Sequence, residues 1–138
     1  MIYRILDIFF VIFHTSLILF NLFGWIWKRI RIINLIVLLL TGASWLILGL
    51  IVGTLGYCPL TDWHFSILNK LGETSLPASY VKYLADRLTG LDISSSLVDN
   101  FTLYAFLTAL GISLFLNIRD FIVKRRLARR SDEPPVVR

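Results

Sequence analysis

The sequence predicts an all-α integral membrane bundle: three transmembrane helices and an amphipathic two-helix extracytoplasmic cap. Three observations carry that prediction. First, 57% of the 138 residues are hydrophobic and 17% charged, with a mean hydropathy of +0.74, whereas an average soluble domain is about 45–50% apolar and about 25% charged. Second, residues 8–27, 32–61 and 100–118 form runs free of charge, and a helix needs roughly 20 apolar residues to cross about 30 Å of hydrocarbon. Third, Pro59, Pro77, Pro134 and Pro135 all fall outside the predicted spans, where a residue without an N–H disturbs a spanning helix least. This composition excludes a disordered chain and a soluble catalytic domain. The single cysteine, Cys58, excludes an intrachain disulfide framework.

The first span is expected over about residues 5–27. A secretory signal carries its positive charge before the apolar run and small residues after it. Here Lys28, Arg29 and Arg31 follow the run, which ends Phe23-Gly24-Trp25-Ile26-Trp27, so the segment reads as a retained anchor. The second span is expected over about residues 32–57 and the third over about 97–123. Together with a cap over residues 58–96 they make one transmembrane domain, residues 1–130, followed by a disordered tail at 131–138. Cys58 follows Tyr57 rather than a small residue, which excludes a lipoprotein signal.

Lysine and arginine concentrate on the cytoplasmic side of a span. Lys28, Arg29 and Arg31 fill the first loop, and Arg119, Lys124, Arg125, Arg126, Arg129, Arg130 and Arg138 dominate the carboxyl end; residues 58–99 are net negative. The expected arrangement is a bacterial inner membrane protein with its amino terminus outside and its carboxyl terminus cytoplasmic. Trp25 and Trp27 then lie at the inner interface, Tyr57 and Trp63 at the outer one. The net charge of +5 is accordingly read as topology and lipid contact rather than nucleic-acid binding.

Within the cap, Leu60, Trp63, Ile67, Leu68 and Leu71 make one apolar stripe on a helix from about Asp62 to Leu71, stopped by Gly72. A second helix is marked by Pro77 near its start, by Val81, Leu84, Ala85 and Leu88 along one face, and by Gly90 at its end. Ser96 and Asp99 resemble a capping box that opens the third span.

The motif Cys58-Pro59-Leu60-Thr61, together with His14 and Gly24 in the first span and Leu71-Gly72 closing the short helix, resembles a family of small multi-pass bacterial membrane proteins classed as a domain of unknown function. The resemblance covers roughly residues 5 to 90 and implies a fold rather than an activity. It also implies a Glu where His64 stands, an Arg where Leu68 stands and often a His where Asn34 stands. Physically the motif reads as a corner: Pro59 ends the second span and Thr61 caps the next helix. His64 cannot act as a capping carboxylate, so it is expected to stay neutral or to have another partner.

Polar side chains within spans face other helices because hydrocarbon offers them no partner. Asp7, His14 and Asn21 recur every seven residues on one face of the first span. Counting inward from the interfaces places His14 level with Ser44 and with Tyr104 to Thr108, and Asn21 level with Thr41, Ser113 and Asn117. Two buried polar layers are expected, built from His14, Asn21, Ser44, Tyr104, Thr108 and Asn117. Close approach would use Gly49-x-x-x-Gly53 and the stripe Ala105, Ala109, Ser113.

The leading functional reading is a non-enzymatic structural or partner-binding component, with the bilayer and a membrane protein or second copy as partners and no cofactor. In it His14 hydrogen-bonds Ser44 or Tyr104, and His14→Leu disturbs the protein more than His64→Gln. An alternative has His14, His64 and Cys58 hold a transition metal or haem. Another has an oligomer bind or move lipid or a small solute through the polar layers. No phosphate loop, His-Glu-x-x-His or nucleophile elbow is present, so the sequence leans away from an enzyme.

Overall fold

The computed structural model describes residues 1–131, so the tail predicted at 131–138 lies, beyond Ser131, outside the described residues. Helices α1 (Ile2–Phe23), α2 (Arg31–Ala43), α3 (Gly49–Val52), α4 (Pro59–Lys70), α5 (Tyr80–Thr89) and α6 (Ser95–Ser131) account for the architecture, with no strand among the described residues. Three stretches, Ile2–Ile26, Arg31–Val52 and Ser95–Arg130, are long and apolar enough to cross a membrane.

The buried residues of α1 are Asp7, His14 and Asn21, the heptad-spaced polar stripe, while Ile5, Ile8, Ile12 and Leu19 point outward. A helix that hides its polar residues and exposes its apolar ones suits an apolar solvent. The chain then makes a 3-10 turn, Gly24–Ile26, before α2. Gly24 is required there, since a Cβ would stand 2.7 Å from Asn34 Nδ2.

The second span runs through α2, a π-helical turn at Ser44–Leu48, and α3. It stops at Val52 instead of about residue 57, because Gly53 takes a left-handed conformation (φ 82°) and reverses the chain. The reversed segment folds back on the π turn: Gly56 N donates to Trp45 O at 3.3 Å and Ser44 Oγ to Tyr57 O at 3.1 Å. Gly49 serves this fold-back, a Cβ there standing 2.9 Å from Thr54 O. Gly49 and Gly53 therefore shape a chain reversal, and the expected helix-packing role of that pair is corrected.

Helix α4 begins at Pro59, in the first turn where a missing N–H costs nothing, with Cys58 as its N-cap. Thr61 lies inside the helix, so the corner is made by the glycine reversal and Pro59 rather than by a threonine cap. The face that α4 buries carries His64 and Leu68; Trp63 is 61% exposed. Helix α5 starts at Tyr80, three residues after Pro77, and ends at left-handed Gly90. It buries Tyr80 and Lys82 while Leu88 is 73% exposed, so its inward face differs from the predicted one. Ser96 falls in the first turn of α6, its Oγ accepting from Asn100 Nδ2 at 3.4 Å, in place of the expected capping box with Asp99.

Helix α4 lies on α1, α5 on α6, and α2 against both α6 and α1. The apolar core is small: Leu38, Phe106 and Ala109, flanked by Leu22, Trp25, Trp45 and Leu110. Trp45 and Phe106 meet at 4.7 Å between ring centroids. Ala109 and Ser113 do form the buried seam of α6. With so little apolar burial, the polar layers above and below this core take on the task of fixing helix register.

Candidate functional site: two polar layers

At the cap end, Asp7 of α1 is the hub. Its Oδ1 accepts from His64 Nε2 at 2.9 Å and Arg87 Nη1 at 2.8 Å, and its Oδ2 from Arg87 Nη2 at 3.0 Å. The planar guanidinium matches the carboxylate at two points, the strong form of this pairing. Arg87 Nη1 also donates to Tyr83 Oη. Helices α1, α4 and α5 are thus joined through one carboxylate.

His64 has no exposed surface. Phe10 stacks on one face of its ring at 5.4 Å and 10°, while Tyr83 meets it edge-on at 5.7 Å and 87°. Burial lowers the pKa of His64 from its ordinary value, against the opposing pull of Asp7. Asp7 is already neutralised by Arg87, so an imidazolium would face a cation as well as an anion. A carboxylate can only accept, so the bond to Asp7 puts a proton on Nε2, and burial favours the neutral ring. Burial raises the phenols of Tyr80 and Tyr83, and Asp7 raises Arg87 further above neutrality.

His14 lies beneath this group and stacks on Tyr80 at 3.8 Å, with ring planes 8° apart. The expected hydrogen bond to Ser44 or Tyr104 is absent, for Ser44 bonds Tyr57 and Tyr104 is 68% exposed. Thr108 is exposed as well. Both stand far around α6 from its buried stripe of Val98, Phe106, Ala109 and Ser113, an offset that counting depth along a helix does not register. Buried His14 Nδ1, His64 Nδ1 and Tyr80 Oη have no hydrogen-bond partner among the described residues.

The other layer lies toward the basic end, and Asn34 is its hub, with no exposed surface. Asn34 Nδ2 donates to Phe20 O at 2.7 Å and to Asn21 O at 3.4 Å, and its Oδ1 accepts from Ser113 Oγ at 2.9 Å. One amide thereby ties all three spans. Asn21 Nδ2 donates to Thr41 Oγ1 at 3.1 Å, and Asn117 Nδ2 to Arg31 O at 3.2 Å and Ser113 O at 2.8 Å. Arg31 pairs with Asp120 and donates from Nε to Trp25 O at 2.9 Å, closing the layer.

Of the six residues expected in the polar layers, Asn21 and Asn117 meet in this second network and His14 joins the cap. Ser44 is satisfied locally, while Tyr104 and Thr108 lie outside both. Sequence reasoning missed Asn34, Arg31 and Asp120, and in the cap Tyr80, Tyr83, Arg87 and Lys82. Lys82 Nζ donates to Asp86 Oδ2, Asp92 Oδ1 and Ile93 O at 2.6–2.7 Å and locks the turn into α6. Asp7 was the available signal, since a buried carboxylate in a span demands a cation.

The proposed metal set of His14, His64 and Cys58 does not assemble. Among the described residues no group of three His, Cys, Asp or Glu side chains could hold a metal ion. His64 Nε2 is occupied by Asp7, and Cys58 is the half-buried N-cap of α4. Chemically the site offers a buried imidazole bonded to a carboxylate, that carboxylate's two-point pair with an arginine, and phenols whose pKa burial raises.

No curated protein and no solved structure matches the chain. A family model does match, over residues 4–118. The chain belongs to the family described as Protein of Unknown function (DUF2784), and the matched region holds both polar layers except Asp120, the partner of Arg31.

Proposed function

We propose that the chain is a non-enzymatic component of a bacterial inner membrane that presents its cap as a rigid platform to a membrane partner or a second copy. The observation that carries this reading is the attachment of the cap. The carboxylate of Asp7 is committed to His64 and Arg87, so the charged group in the first span positions α4 and α5. Arg87 takes both oxygens of that carboxylate, the geometry of a fastening between helices.

The orientation in this reading has the amino terminus and cap outside and the carboxyl terminus in the cytoplasm. It is supported by the pairing of Arg31 with Asp120, which gathers Lys28, Arg29 and the basic half of α6 at one end. A photoreactive amino acid replacing exposed Trp63 tests the platform in growing cells. The reading expects a discrete protein adduct that weakens when Arg87→Ala loosens the cap. Adducts with lipid alone, unchanged by Arg87→Ala, would contradict it.

A further inference from the structure

At the cap end a groove of about 640 Å³ runs between the first turns of α1 and the cap, lined by Arg4, Asp7 and Ile8 on one side and Leu68, Leu71, Glu73, Ser75, Pro77, Tyr83, Asp86 and Arg87 on the other. Three of its charged residues are already matched: Asp7 with Arg87, and Asp86 with Lys82. Arg4 and Glu73 remain. Neither makes an ion pair or a side-chain hydrogen bond among the described residues, and both are exposed. The neighbouring cation Lys70 lies over the ring of Tyr3 at 5.3 Å.

We propose that this groove binds the headgroup of an amine-bearing phospholipid of the phosphatidylethanolamine type, Arg4 taking the phosphate and Glu73 the primary ammonium. Three arguments support the assignment. The lining holds two cations against three anions, which disfavours a purely anionic headgroup, whereas one free charge of each sign complements a zwitterion. An ammonium with three N–H donors can hydrogen-bond a carboxylate, whereas a trimethylated one has no N–H to donate and offers only its charge. The groove also opens onto a lipid track, because Ile8 in its wall and Ile12 one turn deeper both face outward on the same side of α1. A headgroup seated at Arg4 would therefore lay an acyl chain along a surface that hydrocarbon already covers.

The test uses the full chain, purified in mild detergent and titrated in native mass spectrometry with phosphatidylethanolamine, phosphatidylcholine and phosphatidylglycerol of matched chains. The expected result is retention of the ethanolamine lipid about five- to tenfold above both others, the scale of one charge-assisted hydrogen bond at a partly exposed site. Glu73→Gln should remove the preference over phosphatidylcholine, and Arg4→Gln should weaken all three lipids. Because both side chains are exposed and free of internal ion pairs, each variant should melt within about 1 °C of the parent, as surface changes do. Equal retention of the three lipids, or an unchanged preference in Glu73→Gln, would overturn the proposal. Displacement by glycerophosphoethanolamine as readily as by the lipid would also overturn it and assign the groove to a soluble headgroup.

Discussion

Asp7 and Arg87 stand 80 residues apart in the chain and meet through both carboxylate oxygens, Nη1 to Oδ1 at 2.8 Å and Nη2 to Oδ2 at 3.0 Å. The pair joins the start of the first span to the second cap helix, and His64 adds a bond from the first cap helix to the same carboxylate. A buried carboxylate left alone in a span is costly, so each partner makes the others necessary. The cap is held by charge geometry rather than by a large apolar interface.

The two histidines contribute different contacts to this arrangement. His14 contributes a ring stack and no hydrogen bond from Nδ1, so His14→Phe can keep its contact with Tyr80. His64 contributes a fully buried bond to a carboxylate. We expect His64→Leu to cost about 2 kcal/mol and His14→Phe less than about 1 kcal/mol, read as melting temperatures in detergent. A larger loss in His14→Phe would show that the stack, not the bond, holds the cap.

Stability should fall as the medium is acidified. His64 has a folded-state pKa below its ordinary value, so below about pH 6.5 the unfolded chain binds more protons than the folded one. The stabilisation is fully present above the unfolded pKa and is lost as pH falls toward the folded one. The titratable groups around the ring are Asp7, Arg87, Tyr80, Tyr83 and, on the other side of Tyr80, His14. Melting between pH 7.5 and 5 should decline in the parent and decline less in His64→Gln; parallel curves would remove His64 as the cause.

Gly24 and Asn34 should behave as a coupled pair. A Cβ at residue 24 would press on Asn34 Nδ2 at 2.7 Å, so Gly24→Ala should cost about 1–3 kcal/mol. Asn34→Ala alone should cost about 2 kcal/mol through the buried bonds it removes from Ser113 Oγ and from the Phe20 and Asn21 carbonyls. In the double variant the 2.7 Å contact is gone and only the 3.1 Å approach to Cβ of residue 34 is left, so the combined loss should be smaller than the sum. Additive losses would mean the two do not meet.

The proposed orientation predicts which residues a membrane-impermeant maleimide reaches. In a Cys58→Ser background, Leu91→Cys should label in spheroplasts, and Arg130→Cys only after the membrane is opened. The opposite pattern would invert the topology. Labelling of both sites in intact spheroplasts would break the three-span count.

Much of the fold was legible because apolar length and charge position are one-dimensional signals. The three spans, the polar face of α1 at Asp7, His14 and Asn21, and the end of α5 at Gly90 were all readable. What escaped was rotation about helix axes. Depth counting put Tyr104 and Thr108 beside His14, whereas the buried stripe of α6 runs through Phe106, Ala109 and Ser113 on another side. The second span ended early because Gly53, read as a packing glycine, is the left-handed stop. Asn34 was seen only as a departure from a family pattern, though a lone amide in an apolar run is a natural bridge. The partnership of Asp7 with Arg87 was hidden by distance along the chain, and the demand of a buried acid for a cation was its one clue.

The most direct test of the account is a double-mutant cycle on that pair, with Asp7→Asn, Arg87→Gln and the double variant melted in the same detergent. The pair is partly exposed on the arginine side, which moderates its strength. We predict single losses of about 2–3 kcal/mol, a coupling of about 1.5 kcal/mol or more, and a cap protease-sensitive in each single variant. Strictly additive losses with a protease-resistant cap would contradict the claim that this ion pair fastens the cap to the bundle.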